Sequence, residues 1–157
     1  EETRTIRLSP VPAGEYLLDL RLALKPADGP VTFGQTPFGF LGVRVATTMA
    51  VQDGFGTVVN AAGARNEAGV HWKRSAWVDY SGKVAPDVVN GIAAFDHPAN
   101  PRHPACWHVR DDGWMGAAFC KAAPYALEEP LELRYRLYVH GDRTADEIAA
   151  RYADYAR

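Results

Sequence analysis

Cysteine and methionine are scarce in this sequence, at two residues each. It has no run of lysine and arginine, and no apolar stretch near the ~20 residues that a membrane-spanning helix needs. Each shortage excludes something. Without a basic run, and with a formal net charge of -2, no field attracts a phosphate backbone, so a nucleic-acid partner is not expected. Without an apolar span, a membrane partner is not expected either. The N-terminal "EETRTIRLSP" has no apolar signal core, and the sequence opens without methionine. That reads as a processed or excised piece whose compartment is open, with the cytoplasm slightly favoured over secretion. Cys106 and Cys120 allow one bridge or two thiols. Thiols are the expectation, because 157 residues bury a core without a staple.

What is present is ordinary for one globular domain over residues 1–157: 47% hydrophobic and 23% charged residues, with no internal repeat, linker or low-complexity tract. "EYLLDLRLALK" alternates, with Tyr16, Leu18, Leu20, Leu22 and Leu24 on one face and Glu15, Asp19, Arg21 and Lys25 on the other, which predicts a half-buried strand. "FLGVRVATTMAV" (40–51) reads as another strand, with Val43 and Val45 facing away from Arg44. "GTVVN", "SAWVDYSG", "VVNGIAAFD" and "WMGAAFC" follow as strands, with "AAGARNEAG" as a turn or loop. "LELRYRLYVH" places Leu131, Leu133, Tyr135, Leu137 and Val139 on one face. Strands at short intervals, parted by Gly, Pro, Asn and Asp, predict an all-β antiparallel β-sandwich. The exception is the end. "TADEIAARYADYAR" opens with Thr144 and Glu147 at capping-box spacing and carries an Ile148, Tyr152, Tyr155 stripe, which predicts one C-terminal α-helix docked on the sheet. The expected core is Leu18, Leu20, Leu22, Val43, Val45, Leu133, Tyr135 and Leu137.

The densest chemistry lies in "FDHPANPRHPACWHVRDDGW" (95–114). Pro98, Pro101 and Pro104 predict an extended, stiff loop, and a strand from about Ala105 puts Cys106, His108 and Arg110 on one face with Trp107 and Val109 on the other. His97, His103, Cys106 and His108 are ligand types without the spacing of a zinc motif, so neither a metal nor a cofactor is assigned. Histidines beside prolines also serve simply as loop anchors. Arg44 interrupts an apolar strand and needs a partner, with Glu67, Asp79 and Asp96 as candidates; an ion pair and a ligand clamp both fit. The tryptophans suit a core or a sugar platform. No pair of carboxylates stands out as acid and base for glycoside hydrolysis, and Asp111-Asp112-Gly113 reads as a turn.

"FGFLGVRVA", "NAAGARNEAGVHWKRSAWVDYSG", "GIAAFDHPANPRHPACWHVRDDGW" and "LELRYRLYVHGD", in that order, resemble the PmoA-like family of bacterial proteins, labelled "methane oxygenase PmoA". The resemblance runs from about Leu17 to Tyr155. It implies a β-sandwich from a setting of sugar metabolism and sugar oxidoreductases, and it corresponds to the family's C-terminal half. The usual N-terminal half with its "HPHH"-type motif has no counterpart, and "GWMGAAFCK" replaces an Asn-Pro-Phe stretch. The methane label fits poorly, since a true subunit of that kind is an integral membrane protein. Arg44, Glu67, Trp77, Asp79, His97, Asn100, Trp107 and Arg110 stand at family-typical positions.

The expectation is therefore a carbohydrate-related protein that binds or processes a sugar or sugar-derived small molecule. His97, Asp79 and Glu67 are the candidate acid–base groups, and Arg44, Trp77, Asn100, Trp107 and Arg110 the candidate binding groups, around a cleft to which the proline loop presents His97. The alternative is a non-catalytic structural or interaction domain. With half of the family pattern missing, an open sheet edge or apolar face is expected, covered by the missing half or by a second copy in a homo-oligomer.

Overall fold

A computed structural model describes all 157 residues and shows three antiparallel sheets arranged as a sandwich. The strands are β1 (Glu2–Val11), β2 (Glu15–Leu24), β3 (Val31–Phe33), β4 (Leu41–Arg44), β5 (Thr57–Asn60), β6 (Trp77–Ala85), β7 (Val88–Asp96), β8 (Trp107–Arg110), β9 (Trp114–Ala117), β10 (Tyr125–Leu127) and β11 (Leu131–His140). Two α-helices accompany them, α1 (Asn66–Val70) and α2 (Ala145–Tyr155). The large sheet has the order β1-β2-β11-β7-β6-β5; β4-β9-β8 and the ribbon β10-β3 lie across its inner face.

The alternation in "EYLLDLRLAL" and "LELRYRLYVH" builds the centre of this sheet, because β2 and β11 pair without a break from Leu24↔Leu131 to Tyr16↔Val139. Leu22, Leu24, Leu131, Leu133 and Tyr135 join Trp107, Val109, Met115 and Ala117 of the small sheet in the main core. The outer face has a smaller core, in which Ile148 of α2 sits on Trp77, Ala93, Phe95 and Tyr138, with Tyr152 and Tyr155 beside it. The expected capping box fixes where α2 begins: Thr144 Oγ accepts from the Glu147 N–H, and the Glu147 carboxylate accepts from the Thr144 N–H.

The fold class agrees with the sequence expectation, and several local readings are corrected. Of the expected core, Leu22, Val45, Leu133 and Tyr135 are buried, whereas Leu18, Leu20, Val43 and Leu137 are half-buried. The strand expected over residues 40–51 stops at Arg44, and the chain then turns so that Met49 and Ala50 enter the core from non-strand backbone. "AAGARNEAG", expected as a turn or loop, runs into the short helix α1 from Asn66 onward. The N-terminus, read only for its lack of a signal, is the ten-residue strand β1. Both cysteines are free thiols, as expected, and burial raises the pKa of each.

The proline loop is corrected as well. Residues 97–105 form tight turns rather than an extended arm, because they wrap around one carboxylate. Buried Asp96 accepts from Asn100 Nδ2 at 2.7 Å, from the Ala105 N–H at 2.8 Å and from His103 Nδ1 at 2.8 Å. Asn100 in turn ties the loop to β11, accepting from the Arg134 N–H and donating to the Arg134 carbonyl, both at 2.7 Å. Arg102 closes the far side by donating to the carbonyls of Phe119, Ala123 and Pro124.

Candidate functional site

The outer face of the small sheet concentrates polar and aromatic groups. In this sheet β9 lies between β4 and β8, and the register sets Arg44 and Arg110 directly opposite Trp114 on either side. All three point outward, because Val109, Met115 and Trp107 take the alternate, inward positions. The next row along the sheet is Gly42, Gly116 and His108. The Trp114 ring lies over the two glycines: a Cβ at Gly42 would stand 2.5 Å from its Cη2, and one at Gly116 would stand 3.5 Å from its Cζ2. The sequence thus lays a flat indole on a bed that only glycine allows at position 42. The Arg44 guanidinium stands 5.7 Å from the ring centroid.

Around this platform the charges are paired. Arg110 reaches Glu67 of α1 at 3.0 Å, and Arg44 reaches Asp112 at 3.7 Å and its carbonyl at 3.1 Å. Glu67 and Asp111 lock α1 onto the β8–β9 turn by accepting each other's backbone N–H, at 3.0 and 2.8 Å. At the C-terminal end of α1, His71 Nδ1 accepts from the Val109 N–H, and Trp72 stacks on His108 with ring centroids 4.7 Å apart. The Lys121 ammonium also stands over the Trp72 ring, 4.6 Å from its centroid. Trp72 has φ of 59°, a left-handed conformation that a bulky residue rarely adopts and that recurs at functional sites. Phe38 covers His108 from the β3–β4 connection, with centroids 5.4 Å apart. Together Phe38, Arg44, His108, Arg110, Asp112 and Trp114 line an open cleft of about 320 Å³.

Two buried polar atoms on this face have no partner, His108 Nδ1 and Trp114 Nε1. Burial, reinforced by His71 and Arg110, lowers the pKa of His108, so the ring is neutral at pH 7. The Pro37 carbonyl engages the ring. In the tautomer that carries its proton on Nε2, Nδ1 is left as a bare acceptor. The residues lining the cleft therefore include two shielded polar atoms without partners, His108 Nδ1 and the indole N–H of Trp114. Buried polar atoms of this kind call for an explanation.

The structure divides the eight expected site residues among several places. Arg44, Glu67 and Arg110 meet around the cleft just described. Arg44 is exposed, and its partner is Asp112 rather than Glu67, Asp79 or Asp96, because the outer face of the small sheet is open to water. Trp107 is 0% exposed and donates from Nε1 to the Ser75 carbonyl, and Trp77 is buried under α2; both are core groups and neither offers a platform. Asn100 is buried, with its amide spent on Asp96 and Arg134. His97 stands apart from Asp79 and Glu67, edge-on to Tyr155 at 5.0 Å, in a shallow groove with Arg134 and Arg136. Its Nδ1 accepts from the Ala99 N–H, and burial together with Arg134 lowers its pKa. The cleft to which His97 was expected to point is therefore not formed with these partners.

Asp79 lies at the floor of a separate cleft of about 430 Å³ on the outer face of the large sheet, beside the start of α2. Its Oδ1 meets His140 Nε2 at 2.8 Å, and its Oδ2 accepts from Ser81. The other His140 nitrogen meets the Gly141 carbonyl at 2.6 Å. Both ring nitrogens face acceptors, an arrangement that favours the doubly protonated ring and agrees with its raised pKa. The serine bonds to the aspartate and not to the histidine, which is not the arrangement that activates a nucleophile.

Residues 1–154 match a Family of unknown function (DUF6807). The chain belongs to that family. No curated protein and no solved structure matches it. Family membership assigns no chemistry, so the case for a site rests on the cleft itself.

Sequence reasoning singled out His108 for its ligand type, left all four tryptophans, Trp72 and Trp114 among them, open as core or sugar platform, read Asp112 as part of a turn, and missed His71 and Phe38. One signal was available. Asp111-Asp112-Gly113 is a three-residue turn, so Arg110 and Trp114 must pair and share a face, and parity adds His108 to that face.

Proposed function

We propose that the cleft over Trp114 binds a sugar or a sugar-derived small molecule, in keeping with the PmoA-like resemblance. The observation that carries this reading is the pair of unmet atoms, His108 Nδ1 and Trp114 Nε1, beside an indole bedded on glycine. A hydroxyl is the ligand group that suits such a pair, since one oxygen both donates to an acceptor and accepts from a donor. Sugar rings present several hydroxyls on one apolar face, and that face stacks on tryptophan. Arg44 and Arg110 supply donors around the rim and Glu67 and Asp112 supply acceptors, each held by its ion pair so that little side-chain freedom is lost on binding.

The same atoms support a limited chemistry. A neutral His108 with a bare Nδ1 takes a proton from a hydroxyl held against it, and Glu67 acts on that ring through its charge. In this reading His108 and Glu67 take the acid–base roles, and Asp79 and His97 hold the fold. The test is a thermal-shift screen of mono- and disaccharides, including oxidised and acidic sugars. A ligand at a hundredfold excess over its Kd stabilises by ~2.7 kcal/mol. Trp114→Ala, checked for folding by circular dichroism, is expected to weaken binding about tenfold, the effect of losing roughly 1.4 kcal/mol of stacking. No stabilisation by any sugar would instead support the structural or interaction domain.

A further inference from the structure

The large sheet has two edges, and the chain treats them differently. β5 is four residues long, and the chain returns along it through the Val59↔Arg65 bridge and the Asn60 N–H to Ala64 carbonyl bond. β1 is ten residues long, pairs with β2 without a bulge from Glu2↔Leu24 to Val11↔Glu15, and has no strand on its other side. Natural edges are blunted by short strands, bulges, prolines or inward-pointing charges; β1 has Glu2 and Arg4 on its inner face and Pro10 near its end, but it has no bulge, and Ile6 and Leu8 between them leave its middle apolar.

The inner face beside β1 is also uncovered. Ile6 is 57%, Leu8 61% and Tyr16 43% exposed. They continue rows of the sheet: Leu8↔Leu18↔Leu137, Ile6↔Leu20↔Tyr135 and Pro10↔Tyr16↔Val139. The layer of β3, β10 and the small sheet covers the opposite end, at Leu22, Leu24, Leu131 and Leu133. Each copy thus has one covered end and one bare end.

We infer that β1 pairs antiparallel with β1 of a second copy about a twofold axis at Ile6. Glu1 and Lys25 exchange both backbone bonds, so odd-numbered residues of β1 bond to β2 and even-numbered ones turn their N–H and C=O outward. Arg4, Ile6 and Leu8 therefore present free groups to the partner, and only Pro10 lacks a donor. A twofold at Ile6 sets Ile6 against Ile6, Thr5 against Arg7 and Arg4 against Leu8 of the partner, and keeps the inner faces of both sheets on one side. A twofold at Arg7 would oppose two arginines, and one at Thr5 would oppose Leu8 to Glu2 and Ile6 to Arg4. The antiparallel arrangement also brings the covered end of each copy beside the bare Leu8 and Tyr16 of the other.

The test is light scattering on the 157-residue chain together with hydrogen exchange of the β1 amides, on wild type and on Ile6→Lys. Ile6 is mostly exposed in one copy, so Ile6→Lys is expected to leave the monomer folded, and an unchanged circular dichroism spectrum checks this. The expected wild-type mass is about 34 kDa, twice 17.2 kDa, with Arg4, Ile6 and Leu8 amides protected more as concentration rises. Ile6→Lys is expected to give about 17 kDa and to lose that protection. A wild-type monomer with fast-exchanging β1 amides would overturn the inference. So would a dimer that leaves those amides unprotected, or a different polypeptide found on β1.

Discussion

Asp96→Ala is expected to cost about 3–5 kcal/mol, a large share of the stability of a domain of this size. Asp96 is 2% exposed and is the shared acceptor for Asn100, His103 and the Ala105 N–H. Burial raises its pKa, against the pull of Asn100, His103 and Ala105, so the carboxylate is held only because these donors surround it. Alanine leaves the Ala105 N–H and one amide hydrogen of Asn100 without an acceptor and takes the partner of half-buried His103, and each unmet buried group costs ~1–3 kcal/mol. The loop from His97 to Ala105 then loses its centre. Asp96→Asn is expected to fall between wild type and alanine, since one amide oxygen serves Asn100 while the amide NH2 confronts the Ala105 N–H. Urea denaturation of the three proteins checks the order. An alanine variant as stable as wild type would show that the turns do not depend on this carboxylate.

The buried Asp79–His140 pair is expected to give the second large effect, and it depends on pH. Asp79→Ala leaves the fully buried His140 without its counter-charge and is expected to destabilise by about 3–5 kcal/mol near neutral pH. Burial alone would lower the pKa of His140, but Asp79, the Gly141 carbonyl and Glu15 together raise it above its ordinary value of 6.5. For a group whose folded pKa is raised, the stabilisation is complete below the unfolded value and fades as pH climbs through the folded one. Wild type is therefore expected to lose stability as pH rises from about 6.5 through the raised pKa of His140, and Asp79→Ala to show a flatter profile across that window. Gly91→Ala tests the same site by shape, because a Cβ there would stand 2.2 Å from His140 Cε1. Thermal unfolding between pH 5 and 9 reads all three proteins. A wild type that gains stability as pH rises above about 6.5 would contradict the raised pKa of His140.

The sandwich was legible because β2 and β11 alternate along their length, β6 and β7 read as apolar runs since α2 covers their outer face as well, and the capping box fixed the start of α2. β1 escaped notice for the reason that it stands open. In "ETRTIRLSPV" only Ile6 and Leu8 mark the inner face, since nothing covers that face and selection for apolar residues there is weak. α1 has five residues, too few for a helical period to register. At the site, parity put His108 with Arg110 and opposed them to Trp107, but a four-residue strand does not reveal which side faces inward. Trp107 went to the core and His108 to the cleft. The prolines were read as stiffening an extended arm, yet the Asp96 carboxylate, invisible as an organiser in the sequence, folds that arm on itself.

The most direct measurement on the proposed cleft is the indole N–H resonance of Trp114, assigned with Trp114→Phe and followed by nitrogen–proton NMR during titration with the best ligand from the sugar screen. A bound hydroxyl that accepts from Trp114 Nε1 is expected to move this resonance downfield in step with occupancy, while the indole of Trp107, already donating to the Ser75 carbonyl, stays in place. Saturable sugar binding that leaves the Trp114 indole unmoved would contradict the account and locate the ligand elsewhere on the fold.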